Sequence, residues 1–376
     1  MGDGVLLVPQ VDPGAAYRAQ KEAIDAAMAR VLASGWFVLG TEVTAFEQEF
    51  ARWLGVEHVI GCGNGTDALA LLMRGLGIGS GSSVATVSHT AVATVAAIEM
   101  AGAVPVLVDV EPEHHTMDPR DLDAALDAPP PGLPPIRAVI AVHFYGQPAD
   151  MDALGEICRR RGVVLLEDCC QAHGARYKGR TVGTLAEGAA FSFYPTKNLA
   201  ALGDAGAVSV RDGALADRIA ALRQYGWRTR NVSAEAGVNS RLDEIQAAIL
   251  RVRLPLLDAA NARRRAIASA YDTALAGSSV KAPSRRPDSE HAFHQYVVRA
   301  DRRDALQSRL GAAGIATGVH YPVPIHRQPT YRGRVVLGPS GCRITERLAG
   351  EVLSLPIYPD MSDAQVEHVC SVFRGL

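Results

Sequence analysis

No two cysteines in this chain have CxxC spacing. Cys62, Cys158, Cys169, Cys170, Cys342 and Cys370 are scattered, and the adjacency of Cys169 and Cys170 disfavours an ordinary disulfide between them. All six read as reduced thiols of a cytoplasmic protein, and no structural zinc site is expected. No apolar stretch reaches the roughly 18–20 residues that span a bilayer. Met1-Gly2-Asp3-Gly4-Val5 lacks the basic-then-apolar order of a signal peptide, and Leu6 breaks the myristoylation pattern. A net charge of -2 gives no surplus of one sign to attract nucleic acid or an anionic membrane. It leaves room for local basic pockets that take a small anion. Neither a Walker loop nor a GxGxxG fingerprint is present, and no internal repeat is visible.

What the chain does have is 376 residues, 48% of them hydrophobic. That suits one large domain plus a smaller one. Short β-branched runs at 58–61, 83–87, 104–108, 138–142, 163–167, 189–193 and 207–211 alternate with Ala-rich stretches. The stretches at 66–75, 91–101, 118–126, 151–161 and 213–223 read as helices. This rhythm predicts an α/β fold with a mostly parallel sheet covered on both faces. The Pro-rich segment 128–135 reads as a surface loop inside the large domain. Residues 240–274 read as a long helical region that Pro255 kinks or breaks. The division is therefore placed there, as 1–254 and 255–376. Beyond it are expected a strand at 294–299, a helix at 302–313, a His/Pro-rich loop at 319–332, and helices at 344–352 and 362–373.

The chemistry centres on two residues. Asp168 follows the apolar run Val163-Val164-Leu165-Leu166, and Lys197 lies in Phe191-Ser192-Phe193-Tyr194-Pro195-Thr196-Lys197-Asn198. Ligands of parallel sheets collect at the carboxyl ends of strands, where Asp168 is expected. A lysine amine can form a Schiff base with the aldehyde of pyridoxal 5'-phosphate (PLP). An aspartate can hold the pyridine nitrogen protonated, which makes the ring an electron sink. Gly61-Cys62-Gly63-Asn64-Gly65-Thr66-Asp67 follows a strand and opens a helix. Its glycines allow close backbone approach, its helix-start amides favour an anion, and Thr66 adds a hydroxyl. Each feature also has a plainer reading: a glycine turn that only caps the helix, an aspartate cap at 168, and a solvated lysine at 197. Ser192 in the apolar run, and the polar Asn198, Gly203 and Asp204 after it, favour a placed and partly desolvated lysine.

Together these segments resemble the DegT/StrS sugar aminotransferases of PLP fold type I. The likeness runs from Ser34-Gly35-Trp36-Phe37-Val38-Leu39-Gly40 and Gly63-Asn64-Gly65-Thr66-Asp67 through His143-Phe144-Tyr145-Gly146-Gln147-Pro148. It continues in Glu167-Asp168 with Gln171-Ala172-His173-Gly174, in Lys197-Asn198, in Gly237-Val238-Asn239-Ser240-Arg241 and in His320-Tyr321-Pro322. The resemblance implies a large domain with a mostly parallel mixed sheet and a smaller C-terminal α+β domain. It implies that Lys197 carries the cofactor, Asp168 pairs with the pyridine nitrogen and Gln171 lies near the ring hydroxyl. It implies phosphate contacts from Thr66, Asp67 and Ser192, with Gly65 beside them in the cofactor site. It also implies that Asn239 reaches the phosphate of a neighbouring subunit in a homodimer. Without the resemblance, Asn239 reads as a turn residue before a helix.

One departure stands out. The family usually stacks an aromatic residue on the cofactor face in the segment read here as Ser88-His89-Thr90-Ala91, but this chain has Ala91. Either His89 takes over the stacking or the face is open to substrate. His320, Tyr321 and His326 fall in the segment that resembles the nucleotide-sugar contact loop. His291 and His294 read as strand residues rather than metal ligands. The implied reaction passes an amino group from glutamate, through pyridoxamine phosphate, to a nucleotide-linked keto sugar. The segment 143–151 and the turn Gly203-Asp204-Ala205-Gly206 resemble enzymes that act on dTDP-3-keto-6-deoxyhexoses. Amination at carbon 4, or of a UDP or GDP sugar, is the alternative. A non-catalytic regulator of the same fold is expected to lose Lys197 or Asp168, and both are present.

Overall fold

A computed structural model of the chain describes residues 6–375; the Met1–Val5 segment lies outside them. Its centre is an eight-stranded sheet of β1 (His58–Cys62), β2 (Ser83–Val87), β3 (Val104–Val108), β4 (Ile136–Val142), β5 (Val164–Asp168), β6 (Gly188–Ser192), β7 (Gly206–Val210) and β8 (Val336–Leu337). The spatial order is β1-β7-β6-β5-β4-β2-β3-β8. Every neighbouring pair is parallel except those of β7, which runs antiparallel to both β1 and β6. The strands are apolar along almost their whole length and nearly all buried, as a sheet covered on both faces requires.

The connecting helices form where short polar side chains cap them. Asn64, Asp118, Asp150 and Asp212 each accept a first-turn amide, and helices Gly65–Gly75, Pro119–Asp127, Met151–Arg161 and Gly213–Leu222 follow. Pro255 interrupts the long helical region as expected. Helix Glu244–Arg253 passes through one 3-10 turn, Leu254–Leu256, into Leu257–Leu275. The first of these starts later than Ser240, because the Ser240 hydroxyl is committed elsewhere, to the Asp67 carboxylate at 2.6 Å.

Three expectations shift. The strand placed at 294–299 begins at Tyr296, because Phe293 turns the chain with φ 47°. His291 and His294 therefore lie in the approach to the strand. The helix expected at 344–352 ends at Glu351, and Val352–Leu355 instead pairs antiparallel with Tyr296–Arg299. The sheet gains β8, a two-residue strand from beyond residue 330, which lies parallel to β3.

Two hydrophobic clusters cover the large sheet. A third gathers Ile267, Tyr271, Tyr296, Val298, Leu353, Leu355 and Phe373 around the C-terminal strand pair, with Val8 from near the other end of the chain. Helix Thr41–Leu54 is tied down by one side chain. The Glu244 carboxylate accepts the amides of Gly40 (2.8 Å), Glu42 (2.9 Å) and Val43 (2.9 Å). Such caps satisfy the first-turn donors that a helix leaves open. Among the described residues, no helix is long and apolar enough to cross a membrane.

Candidate active site

The carboxyl ends of β5 and β6 open into a cavity of about 490 Å³. Its wall includes Asn64, Gly65, Thr66, Asp67, Thr90, Ala91, Thr94, Asp168, Cys170, Gln171, Ser192, Tyr194, Lys197 and Asp204. The fold thus brings together Gly65, Thr66, Asp67, Asp168, Gln171, Ser192 and Lys197, all singled out from the sequence.

Asp168 ends β5 and is 5% exposed. A buried carboxylate needs donors, and it has them on both oxygens. Thr94 donates its hydroxyl to Oδ2 at 2.9 Å, and the Cys170 amide donates to Oδ1 at 3.1 Å. Thr90 lies 3.2 Å from the Thr94 oxygen. Since the single Thr94 proton goes to Asp168, Thr90 donates to Thr94 in turn. This relay fixes the carboxylate and still leaves lone pairs for a protonated ring nitrogen. The adjacent Cys170 thiol is held protonated. Burial first, and then Asp168, push its pKa well above the usual thiol range, so it is no nucleophile at neutral pH.

Lys197 sits in the loop between β6 and β7. Its amide donates to the Tyr194 carbonyl at 2.8 Å, and the Ala201 amide donates to the Phe193 carbonyl at 2.7 Å. Asn198 anchors the loop from behind by donating to Asn261 Oδ1 (2.8 Å) and to the Ala292 carbonyl (2.9 Å). The half-buried Lys197 has its pKa lowered by burial of the amine, against the upward pull of Cys170 and Asp168. A desolvated lysine with depressed pKa is a nucleophile and a proton carrier. The other lysines, Lys21, Lys178 and Lys281, are exposed.

The glycine turn at the start of helix Gly65–Gly75 is built by exclusion of side-chain volume. A Cβ on Gly65 would lie 2.7 Å from both Cys170 Sγ and Ser192 Cβ. One on Gly206 would lie 2.3 Å from the Asn64 carbonyl carbon, so β7 packs against the loop backbone only because residue 206 has no side chain. Asn64 Oδ1 accepts the Asp67 amide at 2.8 Å, and the Ser240 hydroxyl donates to the Asp67 carboxylate. The amides of Gly65 and Thr66 at the helix start, with the Thr66 hydroxyl, remain for an anion. Ser192 closes the opposite side of this turn. Gln171 accepts the Tyr145 amide through Oε1 at 2.9 Å, which leaves its NH2 group for an acceptor in the cavity.

Other expected residues lie elsewhere. Ala91, and not His89, is on the cavity wall. His89 is buried behind it, edge-on to Phe144 at 5.0 Å, with Nε2 3.2 Å from the Tyr145 hydroxyl. Burial pushes its pKa down to about 4. Asn239 is exposed and does not line the cavity of its own chain. Tyr321 is half-buried near Phe144 and Gln171. His320 holds Ser354 Oγ at 2.8 Å. His326 has both ring nitrogens engaged, Nδ1 with Ser88 at 2.7 Å and Nε2 with Glu346 at 2.8 Å. What His326 offers a ligand is the position of its loop. His143, Glu167 and Cys169 cluster with metal-like spacing, yet the imidazole and carboxylate are already satisfied. The Ala149 amide donates to His143 Nδ1, so Nε2 carries the proton and donates to Glu167 at 2.9 Å. Glu167 also accepts three backbone amides. Thr94 and the anchoring role of Asn198 escaped the sequence reading, because their partners lie 74 and 63 residues away.

The cavity fits PLP: an amide-lined cradle for phosphate, a fixed carboxylate for the ring nitrogen, an amide donor for the hydroxyl, and a desolvated amine. Comparison with known proteins agrees. The chain is 46% identical over 368 residues to the dTDP-3-amino-3,4,6-trideoxy-alpha-D-glucose transaminase of Streptomyces venezuelae, covering 98% of this chain and 95% of that one. It is 46% identical over 369 residues to the erythromycin biosynthesis sensory transduction protein EryC1 of Saccharopolyspora erythraea, covering 98% and 99%. A crystal structure of S. venezuelae DesV in complex with a ketimine intermediate superposes with a TM-score of 0.93 at 45% identity, over 98% of both chains. Residues 18–374 match the DegT/DnrJ/EryC1/StrS aminotransferase family; the chain belongs to that family and is a PLP-dependent aminotransferase.

Proposed function

We propose that the chain transfers an amino group from glutamate to a dTDP-linked 3-keto-6-deoxyhexose, giving the 3-amino-3,6-dideoxy sugar. The observation that carries this reading is the placement of Lys197 and Asp168 on one cavity beside the Gly65–Thr66 cradle. When bound, PLP supplies an electrophilic carbon and an electron sink for the amino acid carbanion. Gly65, Thr66 and Ser192 hold the phosphate, and Asp168, fixed by Thr94 and Cys170, keeps the ring nitrogen protonated. Gln171 orients the ring hydroxyl. Lys197 Nζ would bind the cofactor aldehyde and would serve as the base that carries the substrate α-proton. Burial lowers its pKa, which favours the neutral amine that this task needs. Tyr321 and the loop of His320 and His326 border the place where the sugar enters.

We further infer a homodimer. Among the described residues, Lys197 is the one cation on the cavity wall, against the acids Asp67, Asp168 and Asp204. A phosphorylated cofactor and a diphosphate-linked sugar need more positive charge and more donors than this. Asn239 is exposed, and Trp36, Phe37, Val38, Tyr225, Val232 and Val238 expose apolar surface on the chain segments next to it. A second copy packed on this face covers that surface and brings Asn239 to the partner's phosphate. The division into 1–254 and 255–376 remains our reading of the chain. The separate C-terminal core supports it, although β8 and Val8 cross between the two parts.

A regulatory role without catalysis, as the name of the EryC1 relative indicates for that protein, has no support in the site, which keeps Lys197 and Asp168. The deciding experiment incubates purified protein and PLP with glutamate and dTDP-3-keto-6-deoxyglucose. Formation of 2-oxoglutarate together with a 3-amino sugar supports the proposal. Turnover only with a 4-keto, UDP or GDP sugar redirects the substrate, and no turnover with any keto sugar overturns it.

A further inference from the structure

One side chain from the C-terminal part of the chain joins the two loops that carry the site. Asn261 lies in helix Leu257–Leu275 and is 2% exposed. Its Nδ2 donates to the His173 carbonyl at 2.8 Å, in the turn that follows Asp168 and holds Gln171. Its Oδ1 accepts Asn198 Nδ2 at 2.8 Å, beside Lys197. Among the described residues, no hydrogen bond runs directly from residues 169–174 to residues 194–201. Asn261 is not on the cleft wall, so it acts through these two partners.

Both amides have one working orientation. Asn198 spends its two Nδ2 protons on Asn261 Oδ1 and on the Ala292 carbonyl. Turned over, the Asn261 amide would set its NH2 against the Asn198 NH2 and its oxygen against the His173 carbonyl. The turn lies close on this amide: Gly174 has φ 79°, and a Cβ there would lie 2.6 Å from Asn261 Nδ2. Asparagine is a poorer helix former than leucine, and burying its amide is costly unless it is bonded. Asn198 Oδ1 is buried without a donor among the described residues, so that amide offsets its burial only through the bonds of its nitrogen.

The hydroxyl and the aldehyde of PLP stand on adjacent ring carbons. Gln171 is assigned to the first and Lys197 to the second, so the two loops must keep one spacing. We propose that Asn261 is a positioning residue that sets this spacing. The proposal rests on the reading that Lys197 carries the cofactor and Gln171 meets the ring hydroxyl. Donation from Gln171 draws negative charge on the ring oxygen away from the neighbouring protonated nitrogen of Lys197, which eases the loss of that proton. A slipped spacing weakens the donation and raises the pH at which the bound cofactor changes its absorbance.

The test titrates the absorbance of the holoenzyme with pH and measures kcat and KM for glutamate beside it. Asn261→Leu keeps the branched shape and removes both bonds. It raises the absorbance midpoint by about 0.4–1 pH unit, the worth of one hydrogen bond, and lowers kcat at least about tenfold with KM little changed. Combined with Gln171→Ala, the two midpoint shifts do not add. If Asn261→Leu does not fold, Asn198→Leu breaks the same tie from the loop side and gives the same shift. A lower Tm with the midpoint and kcat of the wild type makes Asn261 a packing residue and overturns the proposal, as do shifts that add. Borohydride that fixes the cofactor to a lysine other than Lys197 in the wild type removes the underlying reading instead, so the two failures are distinct.

Discussion

Replacing Gly206 with alanine isolates the cradle from the rest of the fold. The added methyl would lie 2.3 Å from the Asn64 carbonyl carbon, 2.4 Å from its oxygen and 2.9 Å from the Gly65 amide nitrogen. Ordinary contact begins near 3.4 Å, so the shortfall on the carbon is about 1.1 Å (3.4 − 2.3). All three atoms belong to backbone, which cannot rotate away as a side chain tip can. Gly206 does not have a positive φ, so alanine adds no dihedral strain and the clash is the whole effect. Either β7 leaves its register with β6 or the Asn64–Gly65 turn moves by about 1 Å. Overpacking of this kind costs about 1–3 kcal/mol of stability. A 1 Å displacement of a positioning group costs on the order of 100-fold in rate. The expected result is a lower Tm, PLP binding at least about tenfold weaker by fluorescence titration, and a matching fall in kcat/KM. Gly155→Ala is the control. It lies in helix Met151–Arg161, its nearest contact is Leu165 Cδ2 at 4.0 Å, and it should gain about 0.5–1 kcal/mol. Wild-type cofactor affinity in Gly206→Ala would refute the idea that β7 sets the cradle.

Three further outcomes follow from the same geometry. Thr94→Val removes one of two donors to the buried Asp168 carboxylate. It should cost about 1.5–3 kcal/mol in PLP affinity or stability, and a double-mutant cycle with Asp168→Asn should show the two effects to be strongly non-additive. Lys197→Met should abolish turnover yet stabilise the cofactor-free protein at neutral pH. The folded-state pKa of Lys197 lies below its ordinary 10.5, so the folded state disfavours the charged amine. That penalty is full below the folded pKa and fades as pH rises toward 10.5, so the stability gap between variant and wild type should close over the same range in denaturant titrations. Asn198→Ala frees the loop from Asn261 and Ala292 and should lower kcat more than it raises KM for the sugar.

The alternation of apolar runs and capped helices made the parallel sheet legible, because each strand and each cap is a local event. Asp168 and the glycine turn were legible for the same reason: each lies at a strand end, and a strand end can be read from sequence; Lys197, five residues past the end of β6, was legible from the apolar run before it. Long-range pairings were not. Thr94 reads as an ordinary helix residue until the fold sets its hydroxyl against Asp168. β8 is two residues long and has no pattern of its own. His326 carries the composition of a contact residue, and only the positions of Ser88 and Glu346 reveal that its ring is already occupied.

The central claim is that Lys197 is the lysine that carries PLP. Borohydride reduction of the yellow holoenzyme, followed by peptide mass spectrometry, tests it directly. The account predicts a phosphopyridoxyl group on Lys197 alone, with Lys21, Lys178 and Lys281 unmodified. A label on any of those exposed lysines, or no label on a protein that turns over, would contradict it.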